Sequence, residues 1–128
     1  MGSAIAVFPG ARAIRVPRTR LVPVKTTADL LRTRSDATLE PEEGRLVPAS
    51  EAPPRITLDA RHYKLVGQLD AHFPFGAPSL AGCTSLRVDG EVIFGAGVVC
   101  TGDVHLIAED GLVARIPDGA QLSGERRL

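Results

Sequence analysis

Leu86-Arg87-Val88-Asp89-Gly90-Glu91-Val92-Ile93-Phe94-Gly95-Ala96-Gly97-Val98 opens the stretch whose pattern decides the fold, because the pattern continues to Leu122 with a period of six residues. Leu86, Val92, Val98, Val104, Ile116 and Leu122 form one bulky register, broken only by Asp110. Two residues on runs a second, Val88, Phe94, Cys100, Leu106 and Leu112, ending at Asp118. Four residues after each first position stands only Gly or Ala: Gly90, Ala96, Gly102, Ala108, Ala114 and Ala120. A half-buried strand needs only apolar–polar alternation and places no rule on size. Here a large, large, small cycle overlies the alternation, so a geometric feature is expected to recur every six residues.

A chain wound as a triangular prism meets that requirement. With about six residues per side, three sides close a coil in about eighteen, and like residues stack on like. The expected stacks are Leu86 with Val104 and Leu122, Val88 with Leu106, Phe94 with Leu112, and Val98 with Ile116. Small residues fit the corners, where the turning backbone leaves little room. The pattern therefore predicts a short left-handed parallel β-helix of the hexapeptide-repeat kind, against the usual right-handed crossover preference. An antiparallel meander is the alternative, and Asp89-Gly90 and Asp118-Gly119 suit tight turns in either.

Composition narrows the function. The chain has 128 residues, room for one modest core or a small domain with part of another. Fifteen basic residues balance fifteen acidic ones, so nothing points to nucleic acid or a membrane surface. Arg12, Arg15, Arg18, Arg20 and Lys25 do gather early, as a site for a small anion or as a solvated face. Two cysteines, Cys83 and Cys100, are too few for a disulfide scaffold, and Cys100 falls on an inward register. His62, His72 and His105 are scattered, without metal-ligand spacing. The apolar run from Val92 to Cys100 is too short to span a bilayer, and Met1-Gly2-Ser3-Ala4 lacks the features of a secretory signal. A cytoplasmic chain is expected.

Ahead of the repeat, Arg12–Val16 and Arg20–Val24 read as short strands, the first stopped by Pro17. Thr26 with Asp29 three residues on has capping-box spacing and opens a helix to Arg34, with Leu30 and Leu31 on its buried side. Residues 35–54 carry Pro41, Pro48, Pro53 and Pro54 and read as loop with a weak strand at Leu46-Val47. Ile56–Leu58 is a short strand. Leu65, Leu69 and Phe73 at helical spacing predict one amphipathic helix from Ala60 to His72. Pro74 to Pro78 breaks it, dividing residues 1–78, a mixed α/β remnant with too few βα units for a sheet of its own, from 79–128.

Four stretches in order carry a resemblance: Val16-Pro17-Arg18; Pro23-Val24-Lys25-Thr26-Thr27 with Asp29-Leu30-Leu31; Tyr63-Lys64-Leu65; and Phe73-Pro74 through Pro78-Ser79-Leu80. They resemble the eukaryotic-type UTP–glucose-1-phosphate uridylyltransferase family, and Leu86 to Gly95 looks like the entry to its C-terminal β-helix domain. The resemblance covers nearly all of the chain but only the C-terminal end of the family's length. It implies a large nucleotide-binding α/β domain ahead of a small β-helix domain, and UTP, glucose 1-phosphate and UDP-glucose as ligands. It also implies Mg²⁺ for the full-length enzyme, with none bound by this portion alone. The family's Gly-rich nucleotide loop has no match, since Gly95-Ala96-Gly97 lies inside the repeat without a strand-to-helix transition. No intact catalytic set is therefore expected here, and the chain is expected to be inactive alone.

Among the matched positions, the resemblance assigns chemistry to Lys25, whose ammonium would reach the phosphates of the nucleotide sugar. A compact cation just before a helix N-terminus would add its charge to free backbone N–H groups on the same side. Ala28 departs from the pattern, standing where the family usually carries Asn or Ser. Tyr63 and Lys64 read as packing and surface groups, His62 as half-exposed, and Arg18 and Arg20 as ion-pair partners or a border to the phosphate site. Two other functions fit the residues. One is a structural β-helix module that self-associates through open strand edges. The other is a hexapeptide acyltransferase, for which His105 is the candidate within the repeat but two coils offer too little groove.

Overall fold

A computed structural model describes residues 6–18, 21–42 and 44–128. The expectations for Met1–Ile5 and for Arg20 lie outside them. The capping box forms as expected. Helix α1 (Thr27–Arg34) follows an N-cap at Thr26, whose hydroxyl accepts the Asp29 N–H while the Asp29 carboxylate accepts the Thr26 N–H. Leu31 is its buried residue. An antiparallel hairpin follows, β1 (Thr38–Glu42) and β2 (Arg45–Pro48), where only a weak strand was expected. Arg12–Val16 forms no strand, and neither does the described Leu21–Val24.

Strand β3 (Arg55–Leu58) leads into α2 (Ala60–Tyr63) and α3 (Val66–His72). The single helix expected from Ala60 to His72 is thus two. Leu65 adopts extended dihedrals (φ −101°, ψ 150°), and its N–H donates to Gln68 Oε1 at 2.9 Å. That local bond starts a new helix in place of continuing the old one.

The last third comprises β4 (Cys83–Asp89), β5 (Glu91–Phe94), β6 (Val99–Ile107), β7 (Val113–Ile116) and β8 (Gln121–Arg127). Their pairings are parallel, which rules out the meander: β3-β4-β6-β8 form a four-stranded sheet, and β5-β7 a two-stranded one. The expected left-handed hexapeptide β-helix is corrected by these registers. Eighteen-residue stacking holds only between β4 and β6, where Leu86 pairs with Val104 and Val88 with Leu106. Further on, Val92 meets Ala114, Phe94 meets Ile116 and Cys100 meets Leu122, a step of 22 residues, while Val104 meets Gly124, a step of 20. The expected pairs Val104–Leu122, Phe94–Leu112 and Val98–Ile116 are replaced. The turn around Glu109–Leu112 lengthens the return path and turns Leu112 out to solvent, 60% exposed, so a fixed six-residue cycle cannot persist. Among the described residues the architecture is a small α/β fold of two parallel sheets, an antiparallel hairpin and three short helices.

One apolar cluster joins both sheets to the helices, through Leu31, Tyr63, Leu69 and Phe73 on the helical side and Leu86, Val88, Val92, Phe94, Val104 and Leu106 on the sheet side. Phe73 stacks on Phe94 with ring centroids 4.5 Å apart. The Tyr63 hydroxyl donates to the Val92 carbonyl at 2.9 Å and accepts the Val92 N–H at 3.1 Å, closing the edge of β5. Asp36, just after α1, reaches across the sequence to the start of the sheets. It accepts the Leu80 N–H at 2.6 Å, the Ala81 N–H at 2.9 Å and the Ser79 hydroxyl. Gly90 answers a real constraint: its φ is +89°, and a Cβ there would lie 2.8 Å from the Ala108 carbonyl oxygen.

Candidate functional site

Lys25 stands one residue before the cap of α1, and the helix start, β3 and α2 together enclose a cleft of about 530 Å³ beside it. Thr26, Thr27 and Ala28 form one wall, Ile56–Leu58 another, and Tyr63 with Lys64 the third. A second recess of about 220 Å³ shares Lys25, Thr26, Thr27 and Lys64 and adds Val24, Leu30 and Val66. Both lysines are exposed, so each ammonium is free to turn toward an anion. The Thr27 hydroxyl donates to the Tyr63 carbonyl, which ties the first turn of α1 to the end of α2 and keeps the two lysine-bearing segments together.

The helix start is less open to anions than the sequence suggests. The Asp29 carboxylate accepts the N–H groups of Lys25 at 3.1 Å and Thr26 at 3.0 Å, and the Thr26 hydroxyl at 2.9 Å. Partial burial raises the Asp29 pKa, but the Thr26 hydroxyl, those backbone donors and the Arg32 charge outweigh it and hold the carboxyl below its usual range. Asp29 stays ionised and takes two of the donors that a phosphate would use. The N–H groups of Thr27 and Ala28 have no partner among the described residues and face the same end of the helix. What remains for a ligand is therefore a pair of lysines and two amides at the positive pole of an eight-residue helix.

Lys64 is the residue that sequence reasoning missed at this site. Its neighbour Tyr63 is buried, 1% exposed, and the break after α2 turns Lys64 onto the rim of the cleft. That break is set by a side-chain bond from Gln68, which no hydrophobic spacing reveals. Arg18 is exposed and absent from the lining of the cleft. His62 is half-buried as expected, 3.7 Å from Glu91. His105 lies between Asp89, at 2.6 Å, and Glu125, at 3.5 Å, so both ring nitrogens face carboxylates and neither is offered to an acyl group. Cys83 and Cys100 are free and buried; burial raises both thiols, Cys100 to about 12. Among the described residues no three His, Cys, Asp or Glu side chains gather in a way that would hold a metal ion. Among the described residues no helix is long and apolar enough to cross a membrane.

Known proteins resemble this chain in sequence and in fold. A family model described as UTP--glucose-1-phosphate uridylyltransferase matches residues 1–101. The UTP--glucose-1-phosphate uridylyltransferase of Hordeum vulgare is 40% identical over 128 residues, covering 97% of this chain and 26% of the barley protein. The Saccharomyces cerevisiae relative is 35% identical over 122 residues, covering 94% of this chain and 24% of its own length. Among solved structures, a mutant UDP-glucose pyrophosphorylase from Leishmania major superposes with a TM-score of 0.83 at 43% identity, over 100% of this chain and 27% of that one. Another mutant of that enzyme, crystallised in complex with UDP-glucose, gives 0.82 at 44%, over 100% and 28%. The chain spans about a quarter of the length of these relatives. It belongs to the UTP–glucose-1-phosphate uridylyltransferase family.

Proposed function

We propose that this chain is the C-terminal portion of a uridylyltransferase and supplies one wall of its phosphate site, with Lys25 as the substrate-binding cation. In that reaction a phosphate oxygen of glucose 1-phosphate bonds to the α-phosphorus of UTP. The bond from that phosphorus to the bridging oxygen breaks, and pyrophosphate leaves as UDP-glucose forms. Negative charge grows on the departing oxygens, and a positioned ammonium stabilises it more in the transition state than in the ground state. The observation that carries the reading is a cleft lined by both Lys25 and Lys64, beside the amides of Thr27 and Ala28. UDP-glucose bound to the Leishmania major structure supports the ligand class.

The remaining chemistry belongs to the nucleotide-binding part of the relatives, so the 128-residue chain alone is inactive. A cytoplasmic setting belongs to the same reading, supported by two free thiols that suit a reducing compartment. The test is pyrophosphate release from UTP and glucose 1-phosphate. The chain by itself releases none, and turnover by it would overturn the reading. Lys25→Ala, placed in an active full-length assembly, lowers kcat by about a hundredfold or more. Unchanged kcat would take Lys25 out of the site.

A further inference from the structure

Helix α1 carries its own anion. One oxygen of the Asp29 carboxylate, Oδ2, accepts the Lys25 N–H at 3.1 Å, the Thr26 N–H at 3.0 Å and the Thr26 hydroxyl at 2.9 Å. The other, Oδ1, accepts Arg32 Nη2 at 3.2 Å. A capping box accounts for the contacts with Thr26 alone. The bond to Lys25 reaches one residue further back, to the residue that carries the ammonium. Asp29 lines neither recess beside Lys25, so it acts from behind the backbone of Lys25 and Thr26. From there it fills the place at the positive end of the helix where a phosphate oxygen would otherwise take the same two amides.

We infer, resting on the role proposed for Lys25, that Asp29 is its positioning residue: the carboxylate anchors the Lys25 backbone and closes that end of the helix to other anions. A phosphate in the cleft is then met by the lysine ammonium and the amides of Thr27 and Ala28, and is not drawn away to the amides of Lys25 and Thr26. Removing the carboxylate opens a second seat for an anion, charged by the helix end and no longer opposed by a fixed negative group.

The experiment titrates pyrophosphate, without magnesium and at low salt, into the 128-residue chain and its Asp29→Ala, Asp29→Asn and Lys25→Ala variants, followed by amide NMR at neutral pH. In the parent, the Thr27 and Ala28 amide signals move and those of Lys25 and Thr26 stay still. Asp29→Ala binds about tenfold more tightly, and its Lys25 and Thr26 amides now move with ligand. Asp29→Asn keeps the acceptor oxygen and loses the charge, so it binds about threefold more tightly with those two amides still unmoved. A purely structural loss of the cap lowers the melting temperature and does not tighten binding. Variants at Asp29 that bind no more tightly than the parent would overturn the inference, as would a parent whose Lys25 and Thr26 amides already follow the ligand. Lys25→Ala separates the two roles. Affinity unchanged by it sinks the substrate-binding role of Lys25 whatever Asp29 does, whereas weakened binding there beside a parent-like Asp29→Ala sinks the positioning role alone. No binding by any of the forms sinks both.

Discussion

Tyr63→Phe removes one oxygen from the middle of the molecule and leaves the ring in place. That oxygen accepts the Val92 N–H at 3.1 Å and donates to the Val92 carbonyl at 2.9 Å, standing in for a neighbouring strand on the free side of β5. Tyr63 is 1% exposed and Val92 fully buried, so water does not replace the lost partner. Two orphaned backbone groups at about 1–3 kcal/mol each, partly relieved by relaxation, give a loss of about 2–4 kcal/mol. For a domain of this size that lowers the melting temperature by about 8–15 °C. The same hydroxyl sets an alkaline limit. Burial pushes its pKa from 10.0 to about 12. Between those values the unfolded chain has lost the proton that the native chain keeps, so the unfolded state binds fewer protons and stability falls as pH rises. The full contribution is present below pH 10 and is lost through pH 12, on the order of 3 kcal/mol. Urea titrations followed by circular dichroism at pH 7, 9.5 and 11 on both proteins measure both effects. The reasoning is refuted if the variant lies within about 0.5 kcal/mol of the parent at pH 7, or if it keeps the parent's extra alkaline loss.

Further outcomes follow from other contacts. Gly90→Ala, with its Cβ forced toward the Ala108 carbonyl at a positive φ, costs on the order of 2–3 kcal/mol in urea unfolding, whereas a parent-like midpoint would show that the corner yields. Cys100 and Cys83 stay unmodified by iodoacetamide at pH 8 in the native chain and react on unfolding; rapid native labelling, read by mass spectrometry, would contradict their burial and raised pKa. The Asp59 carboxyl is held well below the usual carboxylate range, first by Arg61 and also by the Gly90 N–H, with burial opposing. Its stabilisation is therefore complete above the ordinary aspartate pKa and disappears as pH falls through the depressed one, and Asp59→Asn shows a shallower acid decline in thermal melts.

Much of this molecule was legible in its residues. Thr26 and Asp29 announced the start of α1, since a capping box needs only the four residues that make it. The inward alternation of Leu86, Val88, Val104 and Leu106, and the burial of Cys100, followed from the period-two pattern. The order of short motifs pointed to the family, which matches residues 1–101. The left-handed hexapeptide winding did not survive, because periodicity fixes which face a residue takes but not how many residues separate stacked neighbours. Loop length at Glu109–Leu112 decides that, and it stretched an eighteen-residue step to 22. Likewise the break between α2 and α3 depends on the Gln68 side chain, and Lys64 joins Lys25 in lining the cleft through that break and the Thr27–Tyr63 bond. Asp36 grips Leu80 and Ala81 from 44 and 45 residues away. Local sequence set the caps, the buried faces and the family. Register, helix breaks and the pairing of the two lysines came from contacts between distant segments, whose geometry exists only once the chain has closed on itself.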